Sequence, residues 1–323
     1  MQIRRHFLAG FAASVAAGGI THADTDWPTK PVRVIVPYPP AGGADTVSRI
    51  LFQKLSEMWG KSFVIDNRGG AGGTIGEAVA AKSDPDGSTV LYDATAFSVN
   101  PTLYPKLSFD YRKDFEPVFL ASLVPNILLV TPSVEVKTVQ DIIDLAKKTP
   151  GGLDFASSGN GTLQHLCLEL LRFKAGIPIN HIPYRGGGLA LNDVIAGQVK
   201  FFFSNGSSSI GLVQGGQVRA IAHTGQGRLG TLPELPAVED TIPGFVAYEW
   251  NGVFVPTGTS PEIVKKLNIG LNAVLRQPEI VTHLKQLNVD FKENTPAEFR
   301  AFVAEETTKW GKVVTDAGIK LGG

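Results

Sequence analysis

The sequence predicts an α/β architecture of mainly parallel sheets in two domains, followed by a helical C-terminal tail. Three observations carry that prediction. Short β-branched or aromatic runs alternate with segments of helical period through most of the chain. The 323 residues suffice for two ordinary domains, even after an N-terminal leader is set aside. From Pro261 onward the strand signal fades, and Pro261, Pro278 and Pro296 each stand where a first-turn proline starts a helix.

The first strand, 32–37, contains Val32, Val34, Ile35 and Val36, an apolar run of the type buried on both faces in a parallel sheet. Further strands are read at 62–66, 89–93, 126–131, 153–157, 181–184, 200–204, 218–223 and 247–255. Helices fit between them at 44–58, 74–82, 138–147, 162–174, 188–196 and 207–214, with tail helices at 261–276, 278–286 and 296–317. One α/β set ends near Val124-Pro125-Asn126 and the chain returns near Pro243-Gly244-Phe245. The expected domains are therefore a discontinuous lobe of 24–125 plus 246–323 and an inserted lobe of 126–245.

Residues 1–23 read as a cleavable export signal. Arg4 and Arg5 precede the apolar run FLAGFAASVAAGGI, and Thr21-His22-Ala23 ends it with cleavage expected after Ala23, by a Sec or a twin-arginine route. The expected location is the periplasm. Loss of Arg4 and Arg5 leaves 28 basic against 30 acidic residues, without the basic excess of a nucleic-acid binder. Cys167 is the only cysteine, so no intramolecular disulfide forms, and its setting among leucines predicts a buried, inert thiol.

Several strand-to-helix turns are rich in glycine and hydroxyls. In VPYPPAGGAD, residues 36–45, Gly42 and Gly43 remove side-chain bulk just before a helix start, which suits either a tight turn or an anion site. NRGGAGGTIG misses the dinucleotide fingerprint because Ile75 stands where its third glycine belongs. DATAFSVNP supplies Thr95 and Ser98 in a turn, and ASSGNGTLQH adds Ser157, Ser158, Asn160, Gly161, Thr162 and His165. Turns at the carboxyl ends of strands in two lobes are placed to face one cleft. Arg185, after Tyr184, suits a distal carboxylate or plain solvent exposure. No HExxH, CxxC, P-loop or nucleophile elbow is present, so neither a metal nor a cofactor is expected.

The segments VPYPPAGGAD, NRGGAGGTIG, DPDGSTVLY, SSGNGTLQHL, IPYRGGGLALNDVIAGQV and WNGVFVP occur in order along the mature chain. Together they resemble the signature segments of the Bug, or TctC-like, solute-binding proteins of tripartite tricarboxylate transporters. The resemblance implies a two-lobed Venus-flytrap binding protein, type II-like, that closes on a small organic carboxylate without chemistry and serves membrane transporter subunits as a monomer. Carried over by motif, the pocket comprises Tyr38, Pro40, Ala41, Gly42, Gly43, Asp45, Gly72, Gly73, Thr95, Ser157, Ser158, Asn160, Gly161, Thr162, His165, Tyr184, Arg185, Ser204 and Asn205. Where the family usually has an acidic residue before the asparagine, this chain has Ser204, which argues against an amino-acid ligand. Two alternatives stay open: a binding protein that feeds a membrane sensor kinase, and a periplasmic hydrolase or isomerase using Ser158 with His165.

Overall fold

The computed structural model describes residues 26–104, 106–316 and 318–320. The expected signal and its cleavage site lie outside them. Strands β1 (Val32–Val36), β2 (Phe63–Asn67) and β3 (Thr89–Ala94) alternate with helices α1 (Gly43–Trp59), α2 (Thr74–Ala81) and α3 (Ala96–Leu103). Strand β4 (Phe115–Val130) then leads into α4 (Val139–Lys148), β5 (Leu153–Ser157), α5 (Leu163–Ala175), β6 (Ile179–Pro183) and α6 (Gly187–Ile195). The chain continues through β7 (Phe201–Asn205), α7 (Gly206–Gln214), β8 (Arg219–His223) and β9 (Tyr248–Pro256). It ends with α8 (Pro261–Leu275), α9 (Pro278–Gln286) and α10 (Pro296–Asp316).

The strands lie in the order β2-β1-β3-β9-β4-β7-β5-β6, with β8 also paired to β4. Strand β1 is parallel to both β2 and β3, and β5 to both β6 and β7, as the apolar runs predicted. Every antiparallel pairing involves β4 or β9. The reason is connectivity, because these neighbours carry the chain out of the first half and back into it. β4 pairs with β9 up to Pro125, and from Asn126 it pairs with β7 and β8. Thr224 ties the two crossings together: its hydroxyl accepts from Asn126 N at 2.9 Å and donates to Ala247 O at 2.5 Å.

Separate apolar clusters fill the two halves. Val32, Val34 and Val36 join Phe52, Tyr92 and Leu267 in one, while Phe155, Phe201, Phe203 and Phe245 anchor another. Each fully buried side chain of this kind contributes about 1.5–3 kcal/mol. The tail helix α10 packs Phe299 against Trp250 and Phe254 in a third cluster, and Trp310 and Val314 in the second. Of the segment read as a turn at 93–101, residues 93–94 end β3 and 96–101 enter α3, which accommodates Pro101 within a single short helix.

Candidate ligand-binding site

Five helix starts converge on one cleft between the halves. Its lining includes Gly42 and Gly43 at the start of α1, Thr95 and Ala96 at α3, Thr162 and Leu163 at α5, Gly187 at α6, and Asn205, which caps α7. The cavity enclosed among these atoms is small, about 30 Å³. Gly42, Thr162 and Gly186 give no side-chain cap to α1, α5 and α6, so the first N–H groups and positive dipole ends of those helices remain available. A second cavity shares Tyr38, Pro39 and Ser158 with the first and extends to Gly72, Gly73, Asn160, Tyr184 and Arg185.

The seam is tight because glycines form it. A Cβ on Gly43 would stand 2.3 Å from Asn205 Cγ, one on Gly72 would stand 2.4 Å from Asn160 O, and one on Gly186 would stand 2.3 Å from Pro39 Cγ. Each of these contacts joins a residue of β1–α3 to one of β5–α7. Gly72 also has φ 64°, a left-handed conformation that glycine adopts at least cost.

Behind the lining, side chains stiffen the loops. Asp45 accepts from Ala41 N at 3.0 Å, from Asn67 Nδ2 at 3.0 Å and from Arg49 Nε at 3.0 Å. Burial alone would raise the Asp45 pKa, but the bonds from Arg49, Asn67 and Ala41 outweigh it and hold the carboxyl below its ordinary range. Ser157 Oγ meets His181 Nε2 at 2.5 Å and accepts from Gly159 N at 3.1 Å, which shapes the turn that presents Ser158. His165 Nδ1 accepts from Gly161 N at 3.1 Å, and its ring stacks on His181 with centroids 4.0 Å apart. Burial, with His181 and Arg172 nearby, lowers His165 to about 3, and burial lowers His181 to about 4.

A buried acidic pair supports the first half of the cleft. Tyr38 donates to Asp93 Oδ1 at 2.9 Å, Tyr111 donates to Glu77, and Asn100 Nδ2 reaches Glu77 Oε1 at 3.3 Å and Gly72 O at 3.1 Å. The Glu77 and Asp93 carboxyls also meet each other. Burial raises both, Glu77 well above its ordinary value and Asp93 to about 6. Asp93 Oδ2 finds no protein donor, and a proton held between the two carboxyls satisfies it.

Of the residues expected from motifs, Tyr38, Gly42, Gly43, Thr95, Ser158, Thr162 and Asn205 line the main cleft. Gly72, Gly73, Asn160, Tyr184 and Arg185 line its neighbour, where the Tyr184 hydroxyl is engaged by Asp193 at 2.6 Å. Pro40, Ala41, Asp45, Ser157, Gly161, His165 and Ser204 line neither cavity. Ser204, next to Asn205 in sequence, is fully buried. Among the described residues, His165 makes no hydrogen bond to Ser158, and the dyad expected of a hydrolase is not formed. Gln164, Ser208 and Glu249 line the cleft without having been foreseen. A signal for Glu249 was present in the sequence, as a lone acid in the buried run YEWNGVFVP.

Residues 47–319 match the model of the tripartite tricarboxylate transporter family receptor. The chain belongs to this family. The receptor is 34% identical to Protein BugT of Bordetella pertussis over 97% of this chain and 95% of that one. Its fold matches Rpa4515 of R. palustris, solved with adipate, at a TM-score of 0.88, with 34% identity over 91% of this chain and 99% of that one. MatC from Rhodopseudomonas palustris, solved with malate, gives a TM-score of 0.85 and 28% identity over 89% of this chain and 100% of that one.

Proposed function

We propose that this receptor captures a small organic carboxylate between its halves in the periplasm and hands it to the membrane subunits of a tripartite tricarboxylate transporter. The observation that carries the reading is the convergence of five helix starts on a cleft that no Lys, Arg or His lines among the described residues. Aligned N–H groups and dipole ends stabilise an anion without a buried countercharge. Two structural relatives were solved with small organic acids, adipate and malate.

The acid group sits against Gly42, Gly43, Thr95, Thr162 and Asn205. Closure is a rotation of one lobe, 24–125 plus 246–323, on the other, 126–245, about residues 124–126 and 244–247. The ligand favours the closed form through contacts that exist only there. No chemical step is assigned, since the histidines behind the cleft are occupied by Gly161, Ser157 and each other.

Thermal unfolding against a panel of mono- and dicarboxylates tests the reading. A ligand at about one hundred times its Kd stabilises the folded state by about 2.7 kcal/mol. Gly43→Val is expected to abolish that shift, because its side chain would displace Asn205. A panel in which only sugars or simple amines raise Tm, or a Gly43→Val variant that binds normally, would remove the assignment.

A further inference from the structure

Glu249 is the feature of the cleft that an anion site does not explain. It is 7% exposed and pairs in register with Val124 where β4 crosses between the halves. Its Oε2 accepts from Gln164 Nε2 at 2.5 Å, and among the described residues no hydrogen bond reaches Oε1. Among the described residues it is the only Asp or Glu of the lining. Burial raises its pKa above the ordinary value, and the Asn205 and Gln164 amides, which favour the ionised form, offset that only in part. Asn205 Nδ2 is itself buried and has no acceptor in hydrogen-bond geometry, although Asn205 Oδ1 is committed to Ser207 N at 2.9 Å. The cleft therefore presents a Glu249 oxygen with no hydrogen bond among the described residues, beside an Asn205 amide that approaches Glu249 without reaching hydrogen-bond geometry and so can turn to a ligand. A buried carboxylate with no nearby cation is costly until something supplies a donor or a positive charge.

We propose that Glu249 selects among carboxylates by receiving a hydrogen-bond donor, an ammonium or a hydroxyl, carried by the ligand beside its acid group, while Asn205 Nδ2 donates to that acid group. This rests on the carboxylate reading above and narrows it to amino or hydroxy acids. When Glu249 is ionised, a plain acid meets it with nothing to donate and with its own negative charge nearby. Ser204 is buried and lines neither cavity.

Calorimetric titration of the mature chain with matched acids tests this: succinate, malate and aspartate, then glutarate, 2-hydroxyglutarate and glutamate. In at least one set a substituted acid is expected to bind about 10- to 100-fold more tightly than its parent, the range of one hydrogen bond to a charged group. Glu249→Gln, with its fold checked by circular dichroism, is expected to bring an ammonium preference close to parity while the parent acid binds at least as well as before. The wild-type ratio needs no variant, so a poorly folded Glu249→Gln does not rescue the idea. Parents that bind as tightly as both substituted forms overturn this inference and leave the carboxylate reading standing. Silence from every acid overturns both.

Discussion

The two halves of the receptor bury opposite kinds of ionisable group behind the same cleft. In the first, Glu77 and Asp93 sit beneath the Gly72–Gly73 loop, surrounded by Tyr38, Asn100 and Tyr111. In the second, His165 and His181 stack beneath the Ser157–Thr162 turn. Burial acts on both sets, raising the acids and lowering the histidines. Each set is thereby driven towards its less charged form, because an uncompensated buried ion costs far more than a neutral polar group. The polar groups hold the loops in shape, the histidines uncharged and the two carboxyls sharing a proton.

The strongest way to break this comparison is to truncate one member of each pair. Glu77→Ala strands the Tyr111 hydroxyl, part of the Asn100 amide and the Asp93 carboxyl at once, and is expected to cost about 3 kcal/mol or more. His181→Ala removes one hydrogen bond of Ser157 and the stacking partner of His165, for an expected loss of about 1–3 kcal/mol. Urea unfolding of both variants at neutral pH checks the order, and equal losses would mean that the acidic network is no more interdependent than the histidine pair.

The pH response sharpens the contrast because the two signs differ. The raised Asp93 contributes stability that is fully present below its ordinary value of about 3.9 and is lost as pH rises through about 6. The depressed histidines contribute stability that is present above their ordinary value of about 6.5 and is lost as pH falls through about 4 and then about 3. Hydrogen exchange read separately on β1–α3 and β5–α7 is therefore expected to show relative protection of the first at pH 4.5 and of the second at pH 7. Asp93→Asn should flatten the first response and leave the second. A uniform response across both halves would show that the pairs do not govern local stability.

The smallest expected effects are at positions where the halves are alike. Thr138 caps α4 in a reciprocal box with Asp141, and Ser260 caps α8 through Ile263 N at 3.3 Å. Thr138→Ala and Ser260→Ala should each cost about 1 kcal/mol, with ligand affinity unchanged. A loss of affinity in either would extend the binding machinery well beyond the cleft.

Much of the fold was legible because it is local. Val32–Val36, the glycine turn and the helix after it follow from neighbouring residues, and the strands at 89–94, 153–157 and 201–205 are apolar runs of similar kind. The first part of β4 was not legible. Pro117 and Pro125 demote it as a strand, and its pairing with β9 shifts register between Pro117 and Phe119 and again between Leu120 and Ser122. The helix α3 was hidden by Ser98, Asn100 and Pro101, which read as a turn. At the site, glycines and hydroxyls in turns announced themselves, whereas Gln164 and Glu249 meet across 85 residues of sequence.

The sequence by itself determined the strand–turn–helix units, the helix starts and the family, since each depends on residues a few positions apart and on segments kept in order. The tertiary structure decided which starts share a cleft, which glycines let the halves touch, and that the acid in the cleft is Glu249, with Ser204 buried and lining neither cavity. Those outcomes depend on burial and on partners distant in the chain, and burial is what shifts the ionisation of the groups behind the cleft.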